Sequence, residues 1–169
     1  RFRTADEIII DEVAYSSKWH AHSVKNKKGV ALERIDPDAA TQDAANWTSA
    51  SETVGYGTPG YQNSQYKDAS SGGATGIEPP VWIEESGSYT VSYLLDRPGY
   101  SCRAFVFNTS GLRVADISNH ELLGISGKIT WSGVANNGSP LQTGVYIFYA
   151  EIYHPEGTVK RFKKAFLIR

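Results

Sequence analysis

At 169 residues the chain has room for one large domain or two small ones, and either arrangement can bury a core. Its 17 basic residues balance 18 acidic ones for a net charge of −1, so it carries no footprint of nucleic-acid or anionic-membrane binding. The single cysteine excludes an internal disulfide, and no apolar run approaches the roughly 18 residues of a membrane-spanning helix. Methionine is absent and the chain opens on Arg1, which leads us to expect a processed chain or a C-terminal fragment.

Glu7 to Val13 (EIIIDEV) reads as a strand with Ile8 and Ile10 on one face. Tyr15 to Lys28 is polar and irregular. Gly29 to Ile35 alternates apolar and polar residues as a half-buried strand does, and Asp36-Pro37-Asp38 ends it because proline cannot donate to a ladder. A loop-rich stretch anchored by Trp47 follows, and Thr58-Pro59-Gly60-Tyr61 makes a turn. Residues 67–77 are rich in serine and glycine, which predicts a flexible linker. They are not a phosphate loop, since no lysine sits at the required offset.

From Ile77 the pattern changes. Strands are predicted over Ser88 to Leu95, Cys102 to Phe107, Leu112 to Ile117 and Lys128 to Trp131, with Ser118 to Gly127 as a loop holding His120. Asn136-Asn137-Gly138 is a strong tight-turn signal. Val145 to Tyr153 and Thr158 to Ile168 form a long hairpin across His154-Pro155-Glu156-Gly157. Trp131 is expected to be largely buried beside Ile129, and Cys102 reads as a buried structural thiol. No amphipathic helix appears, so the chain is all-β and short strands at regular spacing argue for β-sandwich packing.

Two ordered sets of residues resemble known families. Val30-Ala31-Leu32-Glu33-Arg34-Ile35, Asn46-Trp47-Thr48, Glu52-Thr53-Val54-Gly55 and Thr58-Pro59-Gly60-Tyr61 resemble the closing half of a lamin-tail-type domain, an Ig-like sandwich of secreted bacterial proteins and nuclear lamins. Ile129-Thr130-Trp131, Asn136-Asn137-Gly138, Leu141 to Tyr146, Gly157 and Lys163 to Phe166 resemble the Ig-like domain of the flagellar hook-capping type, which recurs at the C-termini of secreted Bacteroidetes proteins. Together they imply two small Ig-like β-sandwich modules in tandem: residues 1–66, a linker over 67–77, and residues 78–169. The first lacks the family's upstream strands, which leaves its completeness open. If it is incomplete, its EIIIDEV strand is covered either by the second module or by another copy of the chain.

The same resemblance implies an exported, non-catalytic module of the cell surface, outer-membrane associated, that spaces or adheres to a protein, cell-surface or glycan partner. Two alternatives remain. Gly144, Tyr146, Gly157, Lys163 and Lys164 also resemble the C-terminal sorting domain of type IX secretion substrates. An accessory carbohydrate-binding module of a larger hydrolase is the other. No cofactor is implied.

Residue chemistry adds little to this. In a strand, His20 and His22 would share one face and could chelate a metal, but no carboxylate stands at ligand spacing. Asp36, Asp38 and Asp43 could collect calcium, yet the spacing departs from the EF-hand pattern and suits turn chemistry instead. Asp11 with Glu12, and Glu84 with Glu85, point to opposite strand faces and cannot act as paired acid and base. No nucleophile motif occurs, and no catalytic residue is assigned. Tyr56, Tyr61, Tyr66, Tyr146, Tyr149 and Tyr153 could form a binding platform. The alternation of Tyr149 and Tyr153 with Val145 and Ile147 reads instead as partly core.

Overall fold

A computed structural model describes residues 2–67 and 74–169, with the side chains of residues 2 and 3 outside that description. It is all-β, built from twelve strands and three short 3-10 turns. The later residues make two four-stranded antiparallel sheets. In the first, β7 (Ser88–Leu94) pairs with β10 (Ser126–Trp131) on one side, and with β5 (Gly76–Ile77) and β6 (Val81–Ile83) in succession on the other. The second runs β12 (Val159–Ile168), β11 (Gly144–Tyr153), β8 (Ser101–Phe107) and β9 (Arg113–Leu122).

The core follows from strand alternation. Tyr89, Val91 and Tyr93 of β7 and Ile129 of β10 are buried together with Cys102, Ala104 and Val106 of β8, Phe148, Ala150 and Ile152 of β11, and Phe166 and Ile168 of β12. Each set recurs at every second residue, so one face of each sheet is apolar. Burying one such large apolar side chain contributes about 1.5–3 kcal/mol. Trp131 packs against this core half-buried, its Nε1 donating to the Val134 carbonyl at 3.0 Å.

Turn chemistry closes the hairpins where expected. Gly138 and Gly157 sit at φ +84° and +92°, a region open to glycine at no steric cost. Their amides donate to Ala135 and His154 carbonyls, each at 2.9 Å.

The structure corrects four expectations. Strand β9 runs on to Leu122, so His120 lies in a strand rather than a loop, at φ +66°. Three register shifts between β8 and β9 break the alternation there, which is why the segment reads as irregular. In β11 the buried set is Phe148, Ala150 and Ile152; Val145, Ile147, Tyr149 and Tyr153 occupy the outer face and are exposed or half-exposed. Trp131 is half-buried rather than largely buried. Around VALERI, only Leu32–Arg34 forms strand (β3), and its buried residue is Glu33.

The N-terminal segment holds two two-stranded ladders, β1 (Phe2–Arg3) with β2 (Ile9–Asp11), and β3 with β4 (Trp47–Ser49). Such pairs are marginal alone in water. Side chains brace the second: Trp19 lies 6.1 Å from Trp47, Arg34 stands 5.8 Å over the Trp47 ring, and Trp47 Nε1 donates to the Thr41 carbonyl at 2.9 Å. Of the expected linker, residues 68–73 lie outside the described residues. At its two ends the Lys67 amide donates to the Ile35 carbonyl at 2.9 Å, and Gly76–Ile77 is strand β5.

Candidate functional site

Three places bring polar or aromatic groups together: a seam between the N-terminal segment and the sandwich, a cleft at one mouth of the sandwich, and the outer face of the second sheet.

The seam is built around two buried polar side chains. Glu33 accepts hydrogen bonds from Thr58 Oγ1 at 2.5 Å, Ser64 Oγ at 2.7 Å and the Gln65 amide at 3.2 Å. Gln65 Nε2 donates to the Ser49 carbonyl at 3.0 Å and to the Leu123 carbonyl, across the seam, at 3.1 Å. Ser51 Oγ donates to the Leu122 carbonyl at 3.0 Å, and the Ile125 amide to the Ser64 carbonyl at 2.9 Å. Thr53 Oγ1 and the Tyr93 hydroxyl, whose pKa burial raises, lie 3.2 Å apart. The chains approach closely at Gly124, where a Cβ would stand 2.5 Å from the Ser64 carbonyl oxygen. Burial of a carboxylate without such donors would be costly; here every one of its partners is structural.

The mouth cleft, about 750 Å³, lies between the β6 edge and the end of β12. Trp82 and Tyr89 meet edge to face at 5.0 Å, and Tyr89 continues the cluster to Trp131 at 5.5 Å and Phe166 at 5.7 Å. Val81, Leu167 and Arg169 complete the walls beside Glu84. Among the described residues that line it, Tyr89 and Ser132 carry the hydroxyls.

On the outer face of the second sheet, Arg113 and Arg103 stand 3.7 and 5.3 Å over the Phe105 ring, and Phe107 meets Tyr149 edge to face at 6.3 Å. Arg113 pairs with Asp116 and Arg161 with Glu151, at 2.5 and 2.8 Å. Lys160 reaches from β12 to Asp96 and Thr75 at 2.9 and 2.6 Å, so hydrogen bonds from Lys160 and Thr75 hold the Asp96 carboxyl well below the usual range.

The residues singled out in the sequence are dispersed. His20 caps a 3-10 turn (Ser17–Trp19) and its Nδ1 lies 2.9 Å from Ser49 Oγ; burial and Lys27 lower its pKa. The strand that would have put His22 on the same face is absent, and His22 is exposed. Asp36 Oδ1 accepts from the Asp38 amide at 2.8 Å, and Asp43 caps the turn Ala44–Asn46 by accepting from the Ala45 amide at 2.9 Å. Among the described residues no group of three metal-ligating side chains forms. Gly144 and Tyr146 open β11, Gly157 turns the far end of the hairpin, and Lys163 and Lys164 lie mid-strand on opposite faces of β12. Cys102 is buried and its thiol is pushed up to about 12, chiefly by burial, which leaves it protonated and inert at neutral pH.

Sequence reasoning missed the seam. Glu33, Ser49, Ser51 and Gln65 are residue types that read as solvated, and only their convergence in three dimensions marks them.

No family model matches the chain, and no curated protein matches it. Among solved structures it is similar to FlgD from P. aeruginosa, at 18% identity over 50% of this chain and 65% of that one, with a TM-score of 0.40. It is also similar to PorZ, a bacterial surface component of the type-IX secretion system of Porphyromonas gingivalis, at 17% identity over 62% of this chain and 13% of that one, with a TM-score of 0.34. The chain thus spans less than two thirds of either protein. Likenesses of this extent leave function to the chain's own geometry. No helix among the described residues is long and apolar enough to cross a membrane.

Proposed function

We propose that the chain is a non-catalytic structural or adhesion module of an exported cell-surface protein. The observation that carries this reading is the seam. The buried carboxylate Glu33, the buried amide Gln65 and the hydroxyls of Ser49, Ser51 and Ser64 all serve to fasten one part of the chain to another. The thiol is buried and protonated, the Ser49 hydroxyl that His20 meets at 2.9 Å is fully buried, and His120 lies against the Asn119 side chain. A site for turnover needs a nucleophile, a base and an oxyanion donor in mutual reach, and no cleft described above assembles them. The resemblance to lamin-tail-type and hook-capping-type domains supports the surface role.

A broad screen against ester, glycoside, phosphate and peptide substrates tests this reading, with no turnover expected. Reproducible turnover abolished by one substitution at a serine, histidine or carboxylate would overturn it. The sorting-domain alternative draws on Lys163 alone among its five residues for an exposed, chemically distinct group. Gly144, Tyr146, Gly157 and Lys164 sit at strand-pairing or turn positions of the β11–β12 hairpin.

A further inference from the structure

Beside the seam, a cleft of about 690 Å³ opens where the loop over residues 22–30 faces β9 and the end of β11. Lys25 and Lys28 line it, both exposed and neither with an ion-pair partner among the described residues. Lys27, between them, turns away and donates from Nζ to the Ser17 carbonyl at 2.6 Å. The loop is pinned by buried Val24 and by the Val30 amide, which donates to the Lys27 carbonyl at 3.2 Å. No carboxylate is among the described residues that line the cleft. The Tyr56 hydroxyl on its wall is pushed up to about 12, first by burial and then by Glu52 and Glu121, which lie outside the lining.

The wall opposite the lysines holds its backbone in an uncommon conformation. Among the described residues Glu7, Tyr56 and His120 are the non-glycine positions with positive φ, and two of the three line this cleft. Tyr56 sits at +63° directly after Gly55, where the 3-10 turn Glu52–Val54 ends. His120, at +66°, is the extra residue of a bulge: Cys102 pairs with Glu121 and Arg103 with Asn119, so His120 has no partner on β8. A bulge takes a side chain out of the ladder and re-aims it. Here the His120 ring meets Tyr153 edge to face at 5.6 Å, with its Nδ1 2.8 Å from Asn119 Oδ1. Bulky residues held at positive φ are costly, and they cluster where ligands are held.

We propose that this cleft binds an acidic sugar unit of a polysaccharide, with the acid group against Lys25 and Lys28 and the sugar ring against Tyr56, Tyr153 and His120. The lysines make charge-assisted hydrogen bonds to the acid. The aromatic rings take the C–H face of the sugar. Asn26 and Asn119 use their side-chain oxygens on the Lys28 amide and on His120, which leaves their N–H groups for sugar hydroxyls. An extended acidic peptide is the poorer fit. Strand β9 is the outer strand of its sheet, but the bulge at His120 interrupts its free edge and denies a peptide a continuous ladder. The inference rests on the surface reading above and names that module's partner. The two fail separately, because enzymatic turnover would overturn that reading whatever the cleft binds.

Isothermal titration of the full chain tests the site, with tetragalacturonate, a sulfated carrageenan tetrasaccharide, neutral cellotetraose and penta-glutamate as probes. One or both acidic sugars should bind, and their ratio shows whether carboxylate or sulfate is preferred. Cellotetraose and penta-glutamate should bind at least about tenfold more weakly. Lys25→Gln and Lys28→Gln should each weaken acidic-sugar binding about three- to tenfold, and raising salt from about 50 to 500 mM should weaken it further. Tyr56→Asn, which tolerates the positive φ, should weaken it about tenfold. Lys128→Gln, exposed on β10 and outside the cleft, should change nothing. Far-UV circular dichroism establishes that each variant is folded. Equal binding of penta-glutamate would overturn the sugar and assign the lysines to an acidic protein, and equal binding of cellotetraose would overturn the acid contact. No binding of either acidic sugar, or full binding by folded Lys25→Gln, Lys28→Gln or Tyr56→Asn, would overturn the proposal outright.

Discussion

Gly124 shows how a single missing Cβ can decide whether two parts of a chain meet. The position is fixed by close approach rather than by an unusual φ: a Cβ there would lie 2.5 Å from the Ser64 carbonyl oxygen, the same atom that accepts from the Ile125 amide. Backbone atoms cannot yield as a side chain can, so Gly124→Ala should cost about 1–3 kcal/mol in denaturant melts, the usual scale of overpacking. A loss under about 0.5 kcal/mol would show that the seam has slack at this point. Trp131 marks the other residue-scale limit. Its ring contacts Tyr89 and Phe166 at 5.5 and 6.3 Å, yet one side faces solvent. Trp131→Ala should therefore cost about 1–3 kcal/mol, short of the roughly 3–5 kcal/mol of a fully buried aromatic. A melt showing the larger loss would mean that the ring is filled in as core.

At the scale of elements, the sequence is readable wherever strand alternation coincides with an apolar face. Strands β7, β8, β10, β11 and β12 lie where their patterns put them, because each buries one face against the opposite sheet. In β11 either phase reads as a core stripe, since Val145, Ile147, Tyr149 and Tyr153 are as bulky as the buried Phe148, Ala150 and Ile152. Only the opposing sheet distinguishes the two faces. The extension of β9 past Ile117 was hidden by its register shifts, and β5 and β6 are too short to show a period. Glu33 reverses its strand's pattern because the layer covering it is polar.

Another element-scale contact, Lys160 to Asp96, has a pH signature. The Asp96 carboxyl is lowered from its ordinary 3.8 by hydrogen bonds from Lys160 and Thr75. A depressed folded-state pKa contributes stability that is present above the unfolded value, and it is lost as pH falls through the folded one. Acid should therefore begin to weaken this link only below about pH 4. Asp96→Asn should lower stability at pH 7 and flatten the decline below pH 4 in thermal melts. An unchanged acid limb would show that the pair is screened by solvent at both ends, as half-exposed pairs often are.

At the scale of the whole molecule, the question is whether the N-terminal segment unfolds by itself or with the sandwich. Its own ladders are two strands wide and its strands two or three residues long, too little to fold unaided. Its stability is borrowed through the seam, where Gln65, Ser51 and Ser64 bond to Leu123, Leu122 and Ile125 beside β9. The two parts should consequently melt together. Far-UV circular dichroism, which follows the sandwich strands, and tryptophan fluorescence, which includes the Trp19–Trp47 pair, should give coincident transitions. Glu33→Ala removes the acceptor shared by Thr58, Ser64 and Gln65 and should cost about 1.5–3 kcal/mol. With the seam loosened, the fluorescence transition should move ahead of the circular dichroism transition. Two separate transitions in the unsubstituted chain would show instead that the segment is independently folded, and that the seam is a contact between finished units.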